Sequence, residues 1–275
     1  QALLHAGSDK EVRNNDGTTA LMYASENGHD SIVQVLIEAG VDKDAKNNDG
    51  STALMWASEN GHDSIVQVLA DSGADMSCLA NVGLIKAAKS GDESRVRDLL
   101  ESGVDIEVKG GNGYTALMNA SKEGHENVVQ VLLAAGANVH TNDAHCSTAL
   151  TLASELGHEL CVQALLAAGA DVHASDNDGE PALICAAGEG HESIVRLLLE
   201  AGANVNAENK GCWTALMGAS INNRESIVRA LLEAGANKDA KNKAGNTALI
   251  YASNEGHESI VKLLQQQPSE EYNTN

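Results

Sequence analysis

The sequence predicts an all-α solenoid, a row of short helix pairs that bury their apolar sides against one another. Three observations predict it. The word Thr-Ala-Leu recurs at Thr19, Thr52, Thr115, Thr148, Thr214 and Thr247, mostly 33 residues apart, and a fixed period of 20–50 residues marks a stacked array. Aromatic residues are scarce, with no Phe, two Trp and four Tyr, whereas Ala and Leu abound; this suits helices packed closely in a row better than one large core. Finally, each copy carries two apolar stretches too short to bury themselves, so each needs neighbours.

The stretch Asn47–Gly73 shows the unit. Asn48-Asp49-Gly50 is turn chemistry, because Gly and Asn reach positive φ cheaply. Thr52 stands where an N-cap belongs. Leu54, Met55, Ala57 and Ser58 make a short first helix that Gly61 ends as a left-handed cap. A second helix runs from Asp63 through Ile65, Val66, Val68 and Leu69, apolar at helical spacing, and stops at Gly73. Helix pairs are expected to begin at Thr19, Thr52, Val82, Thr115, Thr148, Pro181, Thr214 and Thr247. Gln1–Gly7 matches Gln34–Gly40, so a truncated copy precedes these eight pairs. With helices about 10–12 Å across, the stack is expected to be on the order of 80–90 Å long. Pro268 stops the last helix, and residues 268–275 read as a disordered polar tail.

The period and the Thr-Ala-Leu…Gly-His wording resemble the ankyrin repeat. That resemblance implies helix–turn–helix pairs joined by turns that project as hairpin fingers, with fingers and first helices lining a concave groove. Several words depart from the family pattern. The consensus Thr-Pro-Leu-His is here Thr-Ala-Leu-Met or a relative. Pro181 and Val82 replace the capping Thr, and Pro cannot cap by side chain. Asn223-Arg224 replaces Gly-His, a turn that Asn should preserve.

A formal net charge of −21 argues against nucleic-acid phosphate or an anionic membrane as partner, and favours a basic protein or peptide. No apolar run approaches a membrane span, and the N-terminus does not read as a signal peptide. The cysteines Cys78, Cys146, Cys161, Cys185 and Cys212 are odd in number, without a CxxC, and four fall at different places within the repeat. They read as free thiols, which implies a reducing, cytoplasmic setting.

Periodic polar residues invite functional readings that local chemistry explains better. His29, His62, His125, His158, His191 and His257 form a row, but each occupies the same helix–helix turn, and the resemblance implies a packing role. His140 and His173 match each other without a third ligand, so no metal is expected. Acidic residues follow the His slot in every copy (Asp30, Asp63, Glu93, Glu126, Glu159, Glu192, Glu225 and Glu258), where a helix N-terminus stabilises a carboxylate by about 0.3–1 kcal/mol. The DNDG turn fails as a calcium loop: with Gly179 as its central Gly, Ala174 falls first and Cys185 twelfth. No catalytic constellation and no cofactor motif is found, so the chain is not expected to be an enzyme.

Slots that vary from copy to copy are free for recognition. By the resemblance, those in the fingers and at the first-helix ends face the groove: Tyr114, Lys122 and Glu123; His145, Glu155 and Leu156; Asp178 and Glu189; Lys210, Trp213, Ile221 and Asn222. Trp213 and Tyr114 hold finger slots that carry Thr18, Ser51, Ser147, Glu180 or Asn246 elsewhere, and aromatics are the usual interface anchors. Tyr23, Trp56 and Tyr251 share a first-helix slot that reads as core. The expected function is a non-catalytic protein-interaction scaffold, monomeric and binding a protein or peptide along its groove. The alternative is a spacer, anchoring or regulatory segment of a larger protein.

One copy breaks the pattern. Thr52 and Val82 lie 30 residues apart, so the finger between them is three residues short. Its second helix replaces the apolar slots of Ile65 and Val68 by Arg95 and Asp98, and Lys86 enters its first helix. Such polar faces belong to terminal repeats that meet water, and the stretch resembles an ankyrin N-terminal cap. Two sub-arrays are therefore expected, residues 1–78 and 79–267, with a loosened, bent or ion-paired junction because unpaired buried charge is costly.

Overall fold

The computed structural model describes residues 10–48, 50–76 and 79–266. The truncated copy Gln1–Gly7, Asp49, Cys78 and the tail with Pro268 lie outside the described residues. Sixteen helices are found among the described residues. They pair as α1 Ala20–Glu26 with α2 Asp30–Glu38, α3 Ala53–Glu59 with α4 Asp63–Asp71, α5 Leu79–Ser90 with α6 Glu93–Glu101, and α7 Ala116–Glu123 with α8 Glu126–Ala134. The row continues as α9 Ala149–Glu155 with α10 Glu159–Ala167, α11 Ala182–Glu189 with α12 Glu192–Glu200, α13 Ala215–Ile221 with α14 Glu225–Glu233, and α15 Ala248–Asn254 with α16 Glu258–Gln265. Extended pairing among the described residues includes the isolated bridges of Arg13 with Thr19 and Ser175 with Pro181. The chain divides into two compact units, Gln1–Ala144 and His145–Asn275.

Every first helix but α5 starts where the sequence dictates. The Thr19, Thr52, Thr115, Thr148, Thr214 and Thr247 hydroxyls accept from the amide three residues on, satisfying a donor the helix cannot. Pro181 makes no side-chain cap. Within each unit first helices pack on first helices, with α3 on α1 and α13 on α11 as examples. Their Leu and Met side chains are buried, except that Leu79 and Leu249 are half-buried.

The fingers are tied by Asn or Asp side chains. Asn209 Oδ1 accepts from the amides of Gly211 and Trp213, and Asp176 Oδ1 from those of Asp178 and Glu180. One backbone bond then joins a finger to its neighbour at four places: Asn48 N–H to the Asp16 carbonyl, Asn177 to His145, Lys210 to Asp178 and Lys243 to Gly211.

The Gly-His word is explained by a contact between repeats. His62, His125, His191 and His257 each use Nε2 to bond a carbonyl of the preceding copy, that of Glu26, Lys89, Glu155 and Ile221, at 2.9–3.0 Å. A carbonyl only accepts, so Nε2 carries the proton. The ring lies over the capping glycine: a Cβ on Gly157 would sit 2.5 Å from His191 Cε1, and Gly157 has φ +83°. Asn223 adopts φ 56° as expected of a left-handed cap, and Arg224 places its Nε over Gly190 where the other copies place His. The acidic ladder also links repeats. Ser64 Oγ donates to Asp30, and Ser226 with Arg196 holds the Glu192 carboxyl below its ordinary range.

The pattern-breaking copy is rebuilt locally. Its first helix begins at Leu79 rather than at Val82, because residues that form a finger elsewhere have become helix. Arg95 and Asp98 are both exposed. The second helices α2 and α4 pack together, as do α6 and α8, but α4 and α6 form no comparable interface. Val66 of α4 is accordingly half-exposed, whereas its counterparts Val129, Val195 and Val228 are fully buried.

Where the finger is missing, the next one takes its place. Ser51 Oγ donates to the Gly110 carbonyl at 2.9 Å, and Gly111 N–H donates to the Glu59 carboxylate at 3.0 and 3.1 Å. A Cβ on Gly111 would meet the Trp56 ring at 2.8 Å, so the Gly110-Gly111 pair admits this approach. Burial pushes the Glu59 carboxyl up, opposed by the Gly111 N–H, Lys89 and Lys86. The folded state therefore holds this proton more tightly than the unfolded chain. Stability from Glu59 is present below the ordinary carboxylate range and lost as pH rises through the raised value. Glu59→Gln, which keeps an acceptor for Gly111, is expected to raise the urea midpoint at pH 7 and to leave it unchanged near pH 4. An equal gain at both would show that Glu59 does not titrate in this way.

Candidate functional site

The face built by fingers and first helices has a different lining in each unit. In residues 1–144, Lys122 Nζ lies 5.2 Å from the centroid of the Tyr114 ring, a cation–π distance, so these two expected site residues engage each other. Glu123, beside them at the end of α7, is exposed. In residues 145–275, His145, Glu155, Asp178, Glu189, Lys210 and Asn222 are exposed and Ile221 is half-buried. Leu156 is 46 % exposed. Asn222 Nδ2 donates to the Gly188 carbonyl at 2.9 Å, which ties that side chain to the neighbouring first helix.

Trp213 is half-buried and stacks on Tyr251, ring centroids 4.7 Å apart and planes at 28°. It borders a cavity of about 300 Å³ between α11 and α13. Of the expected site residues, Glu189 shares this cavity; Glu180, Cys185, Gly188 and Gly218 line it too.

Tyr23, Trp56 and Tyr251 are not core, and this corrects the sequence reading. Tyr23 is 48 % exposed and the other two are half-buried. The Tyr23 hydroxyl accepts from Asn14 Nδ2 at 3.0 Å, and that of Tyr251 from Asn242 Nδ2 at 2.6 Å. The two tyrosines lean on their own fingers and the Trp56 ring lies against Gly111 of the next one, instead of filling the space between helices. Other copies fill the slot with Lys86, Asn119, Leu152, Cys185 and Gly218, of which Asn119 and Leu152 are buried.

The family model described as ankyrin repeats (3 copies) matches residues 1–79, 84–176, 139–209, 161–242 and 183–275. The chain belongs to the ankyrin-repeat family. Only residues 80–83 fall between the matches, at the start of α5, where a finger has become helix. No curated protein matches the chain. Ankyrin repeats are in general protein–protein interaction modules and typically non-catalytic, which bounds what this face does.

Among the described residues no cluster of three or more His, Cys, Asp or Glu side chains is arranged to hold a metal ion. Cys146, Cys161, Cys185 and Cys212 are free thiols. Cys146 and Cys212 are less scattered than they read in sequence. Both take the left-handed finger turn, at φ 61° and 57°, that Gly17, Gly113, Gly179 and Gly245 take elsewhere. No described helix is long and apolar enough to cross a membrane.

Proposed function

We propose that this chain is a non-catalytic scaffold that binds a basic protein or peptide along the face formed by its fingers and first helices. The observation that carries the reading is Trp213. It is a large aromatic set in a finger, stacked on Tyr251 beside an open acidic cavity. Stacking fixes the ring before a partner arrives, so little conformational freedom is lost on binding. Exposed Leu156 and the acidic Glu123, Glu155, Asp178 and Glu189 support the same face. With a partner captured by this chain, Trp213→Ala is expected to weaken binding by about 2 kcal/mol or more, and affinity should fall as salt rises. If Trp213→Ala and Leu156→Ala both bind as wild type, the face is wrong. Unchanged binding across all substitutions on this face would favour a spacer or regulatory segment.

We also propose that residues 1–78 and 79–267 are two sub-arrays, which meet within the first compact unit where α3 packs on α5. The solvent-facing Arg95 and Asp98, the half-exposed Val66 and the lack of a comparable α4–α6 interface support it.

A further inference from the structure

The cavity between α11 and α13 exists because two slots that carry side chains in other copies are glycine. Gly188 stands where Glu26, Glu59 and Glu155 stand, and Gly218 where Tyr23, Trp56 and Tyr251 stand. Two carboxylates face the space so opened. Glu180 Oε1 accepts from Asn209 Nδ2 at 2.7 Å, which leaves Oε2 available. Glu189 makes no hydrogen bond or ion pair with another described residue. Cys185 borders the same space, and its thiol is pushed up to about 12 by burial and by Glu180, Glu155 and Asp176; the site is negative and its sulfur stays protonated. No lysine or arginine lines it.

The comparable recess in the first unit also has an aromatic and two carboxylates, Trp56, Glu26 and Glu59, but Lys86 and Lys89 line it as well. The chain supplies its own cations there and none at the α11–α13 cavity. Arg224, whose guanidinium lies over Gly190, forms no ion pair with Glu189 among the described residues. An apolar side chain in the cavity would desolvate two carboxylates without compensation. A guanidinium meets both features: it is planar, stacks on indole, and presents a fork of donors to carboxylate oxygens. A lysine ammonium is a hydrated point charge and matches the indole wall less well.

We propose that the α11–α13 cavity is a receptor for a single arginine side chain of a partner peptide, held between Trp213 and the carboxylates of Glu180 and Glu189. This rests on the reading of the finger-and-first-helix face as the binding face. The probe is N-acetylargininamide, titrated into the full chain and followed by amide resonances of Gly188 and Gly218 and the Trp213 indole. Saturable shifts are expected, at least fivefold weaker with the neutral isostere N-acetylcitrullinamide and in the double variant Glu180→Gln/Glu189→Gln. Gly188→Leu should abolish them. Gly188 lies in α11, and nothing stands within 4 Å of where its Cβ would sit, so this variant fills the cavity without disturbing the fold, which an otherwise unchanged spectrum would verify. Equal binding of the citrulline analogue, undiminished binding by Gly188→Leu, or no shift at either glycine would each overturn the proposal. Selection of random dodecapeptides on the wild-type chain separates it from the broader reading. Selected peptides that carry an arginine and lose at least tenfold in affinity to Gly188→Leu support both. Peptides that bind this face equally well with Gly188→Leu uphold the face and overturn the arginine receptor. Argininamide binding with no peptide selected upholds the receptor and counts against the broader reading.

Discussion

Cutting the chain before Leu79 is expected to leave residues 79–275 folded with undiminished helicity per residue, while residues 1–78 lose theirs. The first piece begins with α5 and α6, whose Arg95 and Asp98 already meet water, so the cut exposes little apolar surface on the second-helix side. The second piece holds barely two complete copies, and such arrays need about three repeats to bury a continuous core. The cut is not free of consequence. It removes Ser51 from the Gly110 carbonyl and Glu59 from the Gly111 amide, so amide exchange should quicken around Gly110 to Gly113. Circular dichroism and hydrogen exchange on the two pieces decide the matter. Unfolding of residues 79–275 would end the two-array proposal.

Gly157→Ala should be among the most damaging single changes in the chain, by about 2–5 kcal/mol. Left-handed backbone costs a non-glycine residue roughly 1–2 kcal/mol, and forcing a methyl into a packed contact adds about 1–3 kcal/mol. Gly157 suffers both, with φ +83° and the His191 ring 2.5 Å from the new Cβ. Gly136 separates the two costs, since it has φ +91° and nothing within 4 Å; Gly136→Ala should show the backbone cost alone. Adding His191→Ala to Gly157→Ala should recover about 1–2 kcal/mol relative to additivity, because the two residues share one contact. Equal losses at Gly157 and Gly136 in urea unfolding would refute the ring-over-glycine account.

Much of the architecture was legible because it is written in local chemistry repeated at a fixed interval. Thr at the N-cap, Gly at the left-handed turn and apolar residues at helical spacing each act within a few residues of themselves. They therefore mean the same thing in every copy, and the helices form where those words stand. Even the replacement of Gly-His by Asn223-Arg224 could be read this way, since Asn tolerates positive φ.

What the sequence could not reveal involves residues a whole repeat or more apart. The slot of Tyr23, Trp56 and Tyr251 has apolar members at helical spacing, and periodicity alone made it core; only the position of the fingers shows that these rings rest against them. Likewise, three missing residues before Val82 disclosed a shortened finger but not that Gly110 and Gly111 would reach Ser51, Glu59 and Trp56 across the gap. Glu180, Gly188 and Gly218 carried no motif, because an absent side chain becomes a cavity only when the neighbouring helix fixes the space around it. By itself, then, the sequence determined the helix pairs, their caps and their stacking, since each depends on short-range bonds and a repeated apolar pattern. The tertiary structure alone decided which first-helix side chains face the fingers and where the acidic cavity opens, because both follow from how adjacent repeats pack.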